Sequence, residues 1–289
     1  MTFSILILIF FSKVLSILPK QIMYLFSDIL YFILYYIIRY RKNIVFKNLK
    51  NSFPEKSNKE QMLIAKKYYK HLADLFTENF ALLSMSKNKS LSFITFNNLN
   101  LLESYYKKNK NLIVITGHYN NWEFLTLTPL FTDYKIISVY KTLSNKAFDE
   151  LTYKMRSRHG ALPVPMKKSI KTVIDYKNKN IPFILFLVAD QRPLKKDIRY
   201  WTKFLNQDTP IFLGAEKIAK KLNTAVLYVQ VNKISRGKYE SNYIELCNNP
   251  ASTEQYEITE KHTRILESII RNKPEYWLWS HNRWKYTKE

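Results

Sequence analysis

The chain opens with two apolar runs in succession, and only Lys13, Lys20, Asp28 and Arg39 carry formal charge within residues 1–40. The first run, 2–18, falls slightly short of the ~20 apolar residues that cross a bilayer, and Lys13 lies near enough to one end to snorkel. The second run, 22–38, is rich in Tyr and Phe and carries Asp28. That composition suits the membrane interface and predicts a helix lying in or on the bilayer. A buried core helix would account for one such run but not for two. A cleaved signal peptide would need a basic start and a small-residue cleavage site, and neither is visible. Residues 1–40 are therefore expected to be a retained, helical membrane anchor. The basic run Arg39, Arg41, Lys42 and Lys47 would keep the following chain on the cytoplasmic side.

Beyond the anchor, Ala65, Tyr68, Leu72, Leu75, Phe76 and Leu83 recur at helical spacing behind a Ser57/Glu60 capping-box pattern, which predicts a helix over 57–84. β-rich runs follow at 111–116, 135–140, 181–189 and 225–232, with helical patterns at 122–131, 145–158, 168–178 and 213–222. This alternation predicts an α/β domain over 41–289, with a central, largely parallel mixed sheet flanked by helices. No internal repeat or Gly/Ser linker divides it. In such sheets chemistry gathers at the carboxyl ends of strands. Two apolar runs end in polar clusters: one in Gly117-His118-Tyr119-Asn120-Asn121-Trp122-Glu123, the other in Asp190-Gln191-Arg192-Pro193.

Composition narrows the chemistry. The 46 Lys and Arg against 23 Asp and Glu give a formal charge of +23, which calls for polyanionic company, either nucleic acid or an anionic membrane and its lipids. The lone Cys247 excludes a disulfide framework and Cys-based metal sites. Four glycines cannot supply a glycine-rich nucleotide cradle, which excludes most kinases, P-loop ATPases and Rossmann dehydrogenases. His71, His159 and His262 lack ligand spacing, so neither a metal nor a cofactor is expected.

His118 is the candidate base. Glu123 lies just inside the next helix, which Asn120 or Asn121 could cap. Across a strand–turn–helix junction its carboxylate could accept from one ring nitrogen and leave the other directed at a hydroxyl. A structural His–carboxylate hydrogen bond is the competing reading.

The wider pattern resembles the bacterial lipid A biosynthesis acyltransferases, the late lauroyl and myristoyl transferases of the glycerolipid acyltransferase superfamily with its H-x4-D/E motif. The residues that carry the resemblance are His118 and Glu123 within G-H-Y-N-N-W-E, the A-D-Q around Asp190, and the closing Y-W-L-W-S-H-N-R-W-K. Arg41-Lys42-Asn43, Val139-Tyr140-Lys141, Arg156-Ser157-Arg158-His159-Gly160 and Phe212-Leu213-Gly214 follow the family's order. Glu rather than Asp in the motif favours the lipid A branch, and Phe53-Pro54-Glu55 reads as a turn before a helix.

The resemblance implies fatty acyl transfer from an acyl-carrier-protein thioester, or acyl-CoA, to a hydroxyl of a lipid A precursor, at the cytoplasmic face of the inner membrane. It makes His118 the general base and Glu123 its orienting partner. Asp190 matches a family aspartate, and Arg158, or alternatively Arg156, the family's arginine. Arg158, Asp190 and Asn121 are thus expected to bind substrate. An oxyanion donor is expected from a backbone N–H near Asn120–Asn121, unless Arg158 serves the acceptor's phosphate. The expected partners are acyl carrier protein, an anionic lipid acceptor and the membrane, and not nucleic acid. Another glycolipid, aminolipid or lysophospholipid acceptor is the nearest rival, and a non-catalytic basic protein binding anionic lipid or nucleic acid is the rival of a different class. Tyr276, Trp277, Trp279 and Trp284 are expected to pack in the core, with no catalytic role for His281 or Arg283.

Overall fold

A computed structural model describes residues 3–288; Met1 and Thr2 of the expected anchor and Glu289 of the expected catalytic domain lie outside the described residues. Helix α1 (Phe3–Ile17) leads through Pro19 into α2 (Lys20–Phe32), which continues as a π-helical turn over Ile33–Ile37. Then come α3 (Lys42–Ser52) and the long α4 (Asn58–Leu82). The capping box of α4 is formed: Ser57 Oγ accepts from Glu60 N–H at 3.3 Å and the Glu60 carboxylate accepts from Ser57 N–H at 2.8 Å. The chain continues through α5 (Lys87–Leu91), β1 (Ile94–Phe96), α6 (Asn100–Tyr106), β2 (Leu112–Thr116), β3 (Lys135–Tyr140), α7 (Lys146–Ser157), β4 (Leu162–Pro165), α8 (Ser169–Asn178) and β5 (Phe183–Val188). It closes with the hairpin β6 (Trp201–Phe204) and β7 (Gln207–Pro210), α9 (Gly214–Leu222), β8 (Ala225–Ser235), β9 (Lys238–Cys247) and α10 (Glu257–Asn272).

Seven strands form one sheet in the order β1-β9-β8-β2-β5-β3-β4. Every pairing is parallel except β8 with β9. The fold is thus an α/β sheet, mostly parallel and flanked by helices, and the four strands read from alternation are β2, β3, β5 and β8. β9 carries Lys238, Glu240 and Glu245 among its apolar positions, so its sequence lacks a clean two-residue period. The segment at 122–131 is a 3-10 helix, Trp122–Leu130, rather than an α-helix. Pro129 inside it has no N–H to give, and Thr126 and Thr128 turn their hydroxyls back onto the carbonyls of Glu123 and Leu125.

Residues of β2 alternate between two cores. Ile113 and Ile115 face one built with Val45 and Leu49 of α3, Ile64, Tyr68 and Leu72 of α4, and Leu266 of α10. Leu112 and Val114 face the other, with Met23 of α2, Phe124 and Met155. A strand covered on both faces reads as a continuous apolar run, which is why LIVIT is unbroken. The chain leaves β2 toward β3, passing over β5, and leaves β5 toward β8, passing over β2. These opposite departures open a crevice at the carboxyl ends of the two strands.

The N-terminal helices are part of this architecture. The inner face of α2 is polar: Tyr24 Oη donates to Glu78 at 2.6 Å and Ser27 Oγ to Asp74 at 2.7 Å. Arg236, in the β8–β9 turn, bridges Asp28 and Asp74, and Lys233 Nζ lies 3.1 Å from the same Asp74. The outer face is apolar, with Phe10, Ile17, Leu25, Phe26, Ile29 and Phe32 exposed. No single helix among the described residues is long and apolar enough to cross a membrane; Lys20–Ile37 and Lys42–Ser52 reach that length only as a pair bent by 86°.

Asp74 is buried between two cations, and its loss leaves the buried Lys233 without a carboxylate while Arg236 keeps only Asp28. Asp74→Ala is expected to destabilise the fold by about 3–5 kcal/mol in chemical denaturation. Removing the exposed Lys179–Asp175 pair by Lys179→Ala should cost under about 1 kcal/mol.

Candidate active site

The pairing of β2 with β5 builds the site. Thr116 is in register with Val188, and Ala189 N–H donates to Thr116 O at 3.0 Å. Two residues further along each strand, the same register sets His118 beside Asp190. His118 Nδ1 lies 2.5 Å from Asp190 Oδ1, and the His118 backbone N–H donates to Oδ2 at 2.9 Å. A third donor comes from the C-terminal segment, where Trp277 Nε1 reaches Oδ2 at 2.8 Å. Gly117 is required between strand and base: a Cβ there would meet Leu266 Cδ1 at 2.8 Å and Asp190 Oδ2 at 3.5 Å.

Burial pushes the Asp190 carboxyl up, but the imidazolium charge of His118 and the three hydrogen bonds outweigh it and hold the group far below the usual carboxylate range. An ionised Asp190 accepts the hydrogen bond from Nδ1–H, so the neutral ring presents its accepting lone pair at Nε2. Gln191 Nε2 lies 3.2 Å from that nitrogen. The Asp190 side chain is 3 % exposed and that of His118 17 %, so the carboxylate is sealed while the imidazole stays partly open.

The orienting carboxylate is therefore Asp190, and the expectation that Glu123 would accept from the imidazole is corrected. Glu123 turns to Arg156: Arg156 Nε donates to Oε2 at 2.9 Å and Nη2 to Oε1. Burial pushes the Glu123 carboxyl up, yet the Arg156 guanidinium brings it below its ordinary value. Trp122 links the two halves of the site. Its Nε1 donates to Glu123 at 3.1 Å while its ring stands edge-on to His118 with centroids 4.7 Å apart.

Arg158 and Asn121 are corrected too. Two residues along α7 turn the side chain by about 200°, so Arg158 points away from Arg156. It donates to the carbonyls of Leu82 and Leu83, capping the end of α4. Asn121 is buried, and its Oδ1 accepts from Glu123 N–H at 3.3 Å while its Nδ2 donates to Glu78 at 2.8 Å. It fixes the start of the 3-10 helix and is turned from the crevice. Asn120, at φ 52°, spends its backbone N–H on Tyr276 O and its carboxamide on Val231 O. Its backbone N–H is accordingly committed and is no oxyanion donor. The tryptophans pack as expected, Trp277 and Trp279 being buried, but Trp277 also serves Asp190. Arg283 is buried, with Nη2 on Pro210 O at 2.7 Å.

Behind Glu123 and Arg156 an apolar cavity is lined by Leu125, Ile136, Val139, Ala161, Phe186 and Val188. No group of three or more His, Cys, Asp or Glu among the described residues could hold a metal ion. What stands at the crevice is an Asp–His pair whose Nε2 is touched by Gln191, beside a buried Glu–Arg pair and a small, largely apolar cavity, a set suited to activating a hydroxyl against an acyl donor. A family model described as bacterial lipid A biosynthesis acyltransferase matches residues 1–286. The chain belongs to the bacterial lipid A biosynthesis acyltransferase family. No curated protein matches it. Its activity is accordingly acyl transfer in lipid A biosynthesis, and the family implies an acyl donor and a lipid A precursor as acceptor.

In this acyltransferase Asp190 and Trp277 meet at His118, and Arg156 meets Glu123, contacts that motif spacing did not assign. Because the folded Asp190 pKa is depressed, the stability it contributes is complete above the unfolded value of about 3.9 and is lost as pH falls from there toward the folded value. Asp190→Asn should therefore be less stable than the parent at neutral pH. The gap should close as denaturation is repeated at successively lower pH below about 4.

Proposed function

We propose that the protein transfers a fatty acyl chain from an acyl-carrier-protein thioester, or acyl-CoA, to a hydroxyl of a lipid A precursor, with His118 as general base and Asp190 as its orienting partner. The observation that carries this reading is the Nδ1–Asp190 contact, which leaves Nε2 of a partly exposed ring as the accepting nitrogen, touched by the Gln191 carboxamide. The acceptor O–H gives its proton to Nε2 as oxygen attacks the thioester carbonyl carbon. The tetrahedral intermediate collapses with loss of the C–S bond, and the imidazolium returns the proton to the departing thiolate. General-base help of this kind is worth about 10²–10⁴-fold. The thioester supplies its own leaving group, so the scheme needs no covalent enzyme intermediate. Glu123 and Arg156 line a small, largely apolar cavity of about 40 Å³, room for a few methylenes of an acyl chain.

The same reading sets the enzyme on the cytoplasmic face of the inner membrane through the apolar outer face of α1 and α2. An in-plane attachment is favoured over a span because α2 spends its other face on Glu78, Asp74 and Arg236. Helix α1 also touches α7, the helix of Arg156, so a bilayer on that face lies beside the crevice. The net charge of +23 suits anionic headgroups and an acidic carrier protein alike.

Two measurements test this reading. Purified protein given acyl-carrier-protein thioesters and a tetra-acylated lipid A precursor should add one acyl chain to the acceptor by mass spectrometry, and His118→Ala should abolish the gain; product only on another lipid would move the acceptor. The double variant Phe26→Glu/Ile29→Glu should lower sedimentation with anionic vesicles more than about tenfold. Unchanged binding would contradict the in-plane attachment.

A further inference from the structure

Gln191 touches the reacting nitrogen and has no assigned role. It follows Asp190 directly at the end of β5, and its carboxamide nitrogen stands 3.2 Å from His118 Nε2. With the Nδ1 proton held by Asp190, Nε2 accepts, so the Gln191 amide must present its N–H to it. An acceptor hydroxyl has to occupy that same hydrogen-bonding position before its proton can be taken. The amide must then yield, and rotation about its own side-chain bonds leaves it next to the attacking oxygen. The thioester carbonyl oxygen, where negative charge develops, is two bonds from that attacking atom.

Several neighbouring donors are already spoken for, and Gln191 is a donor in direct contact with the reacting nitrogen. The His118 N–H serves Asp190, the Asn120 N–H serves Tyr276 O and the Glu123 N–H serves Asn121. The Trp122 indole and the Nε and Nη2 of Arg156 are spent on Glu123. We infer that Gln191 is the oxyanion donor: released from Nε2 by the incoming hydroxyl, its carboxamide N–H donates to the thioester carbonyl oxygen as the C–O bond forms. When the intermediate collapses and the thiolate leaves, the charge is withdrawn and the amide returns to Nε2. One side chain thus covers the base between turnovers and stabilises the charge that the base creates. This inference rests on His118 acting as the base.

The test is steady-state kinetics of Gln191→Met and Gln191→Ala with acyl-carrier-protein thioester and lipid A precursor, with thermal melting to establish folding. An oxyanion donor lost from such a site lowers kcat by about 10²–10³-fold. KM should stay within about threefold, and the acid limb of the kcat profile should not move, because in the substrate complex the hydroxyl has already taken the amide's place at Nε2 and the oxyanion charge appears only in the transition state. A kcat kept within about threefold, or a fall accompanied by a raised KM or a displaced acid limb, would overturn the assignment and leave Gln191 as a cover or an orienter of the imidazole. His118→Ala in the same series separates the two claims: turnover surviving there contradicts the base itself, whatever Gln191 does.

Discussion

Asp190 is a carboxylate taken out of water, and a buried charge of this kind is tolerated only when it is paired and fully hydrogen-bonded. Its donors come from two parts of the chain that are distant in sequence, the end of β2 and the segment after α10. Satisfying it therefore fixes both. The C-terminal segment is bound again through Leu278 N–H on His118 O and Asn120 N–H on Tyr276 O, so the loop carrying the base is clamped along its length. Gly117 eases this packing, since a side chain there would have to displace the tip of Leu266 of α10.

A second buried carboxylate extends the arrangement to the N-terminus. Glu78, whose carboxyl burial pushes upward, accepts from Tyr24 of α2, Tyr239 of β9 and Asn121 at the start of the 3-10 helix. Asn121 in turn accepts from the N–H of Glu123, which holds Arg156. A polar chain therefore runs from the helix with the apolar outer face to the pair beside the base. An interfacial helix tied in this way lends rigidity to the site as well as a surface for lipid.

Much of this was legible in the sequence. The four main strands, the parallel sheet and the long capped helix followed from period and caps, because a strand buried on both faces and a capping box leave local signatures. The family resemblance picked out His118 and Asp190 as separate residues. What spacing hid was their relation. His118 and Glu123 are close in sequence, which favoured a local pair, whereas His118 and Asp190, 72 positions apart, meet only through the register of β2 on β5. The parallel signal was available, since each stands two residues beyond the last paired position of its strand. Choosing Arg156 over Arg158 needed the rotation of α7 relative to the end of α4, which sequence does not contain. The polar strand β9 and the 3-10 character of 122–130 were likewise decided by tertiary pairing and by Pro129 rather than by pattern.

The central claim is that Asp190, not Glu123, sets the tautomer of the His118 imidazole. Nitrogen-15 NMR of the histidine ring, with His118 identified by its loss in His118→Ala, tests this most directly. The account predicts the Nδ1–H tautomer for neutral His118, with a downfield Nδ1 proton that disappears in Asp190→Asn and persists in Glu123→Gln. An Nε2–H tautomer, or a downfield proton that disappears with Glu123 instead, would contradict it.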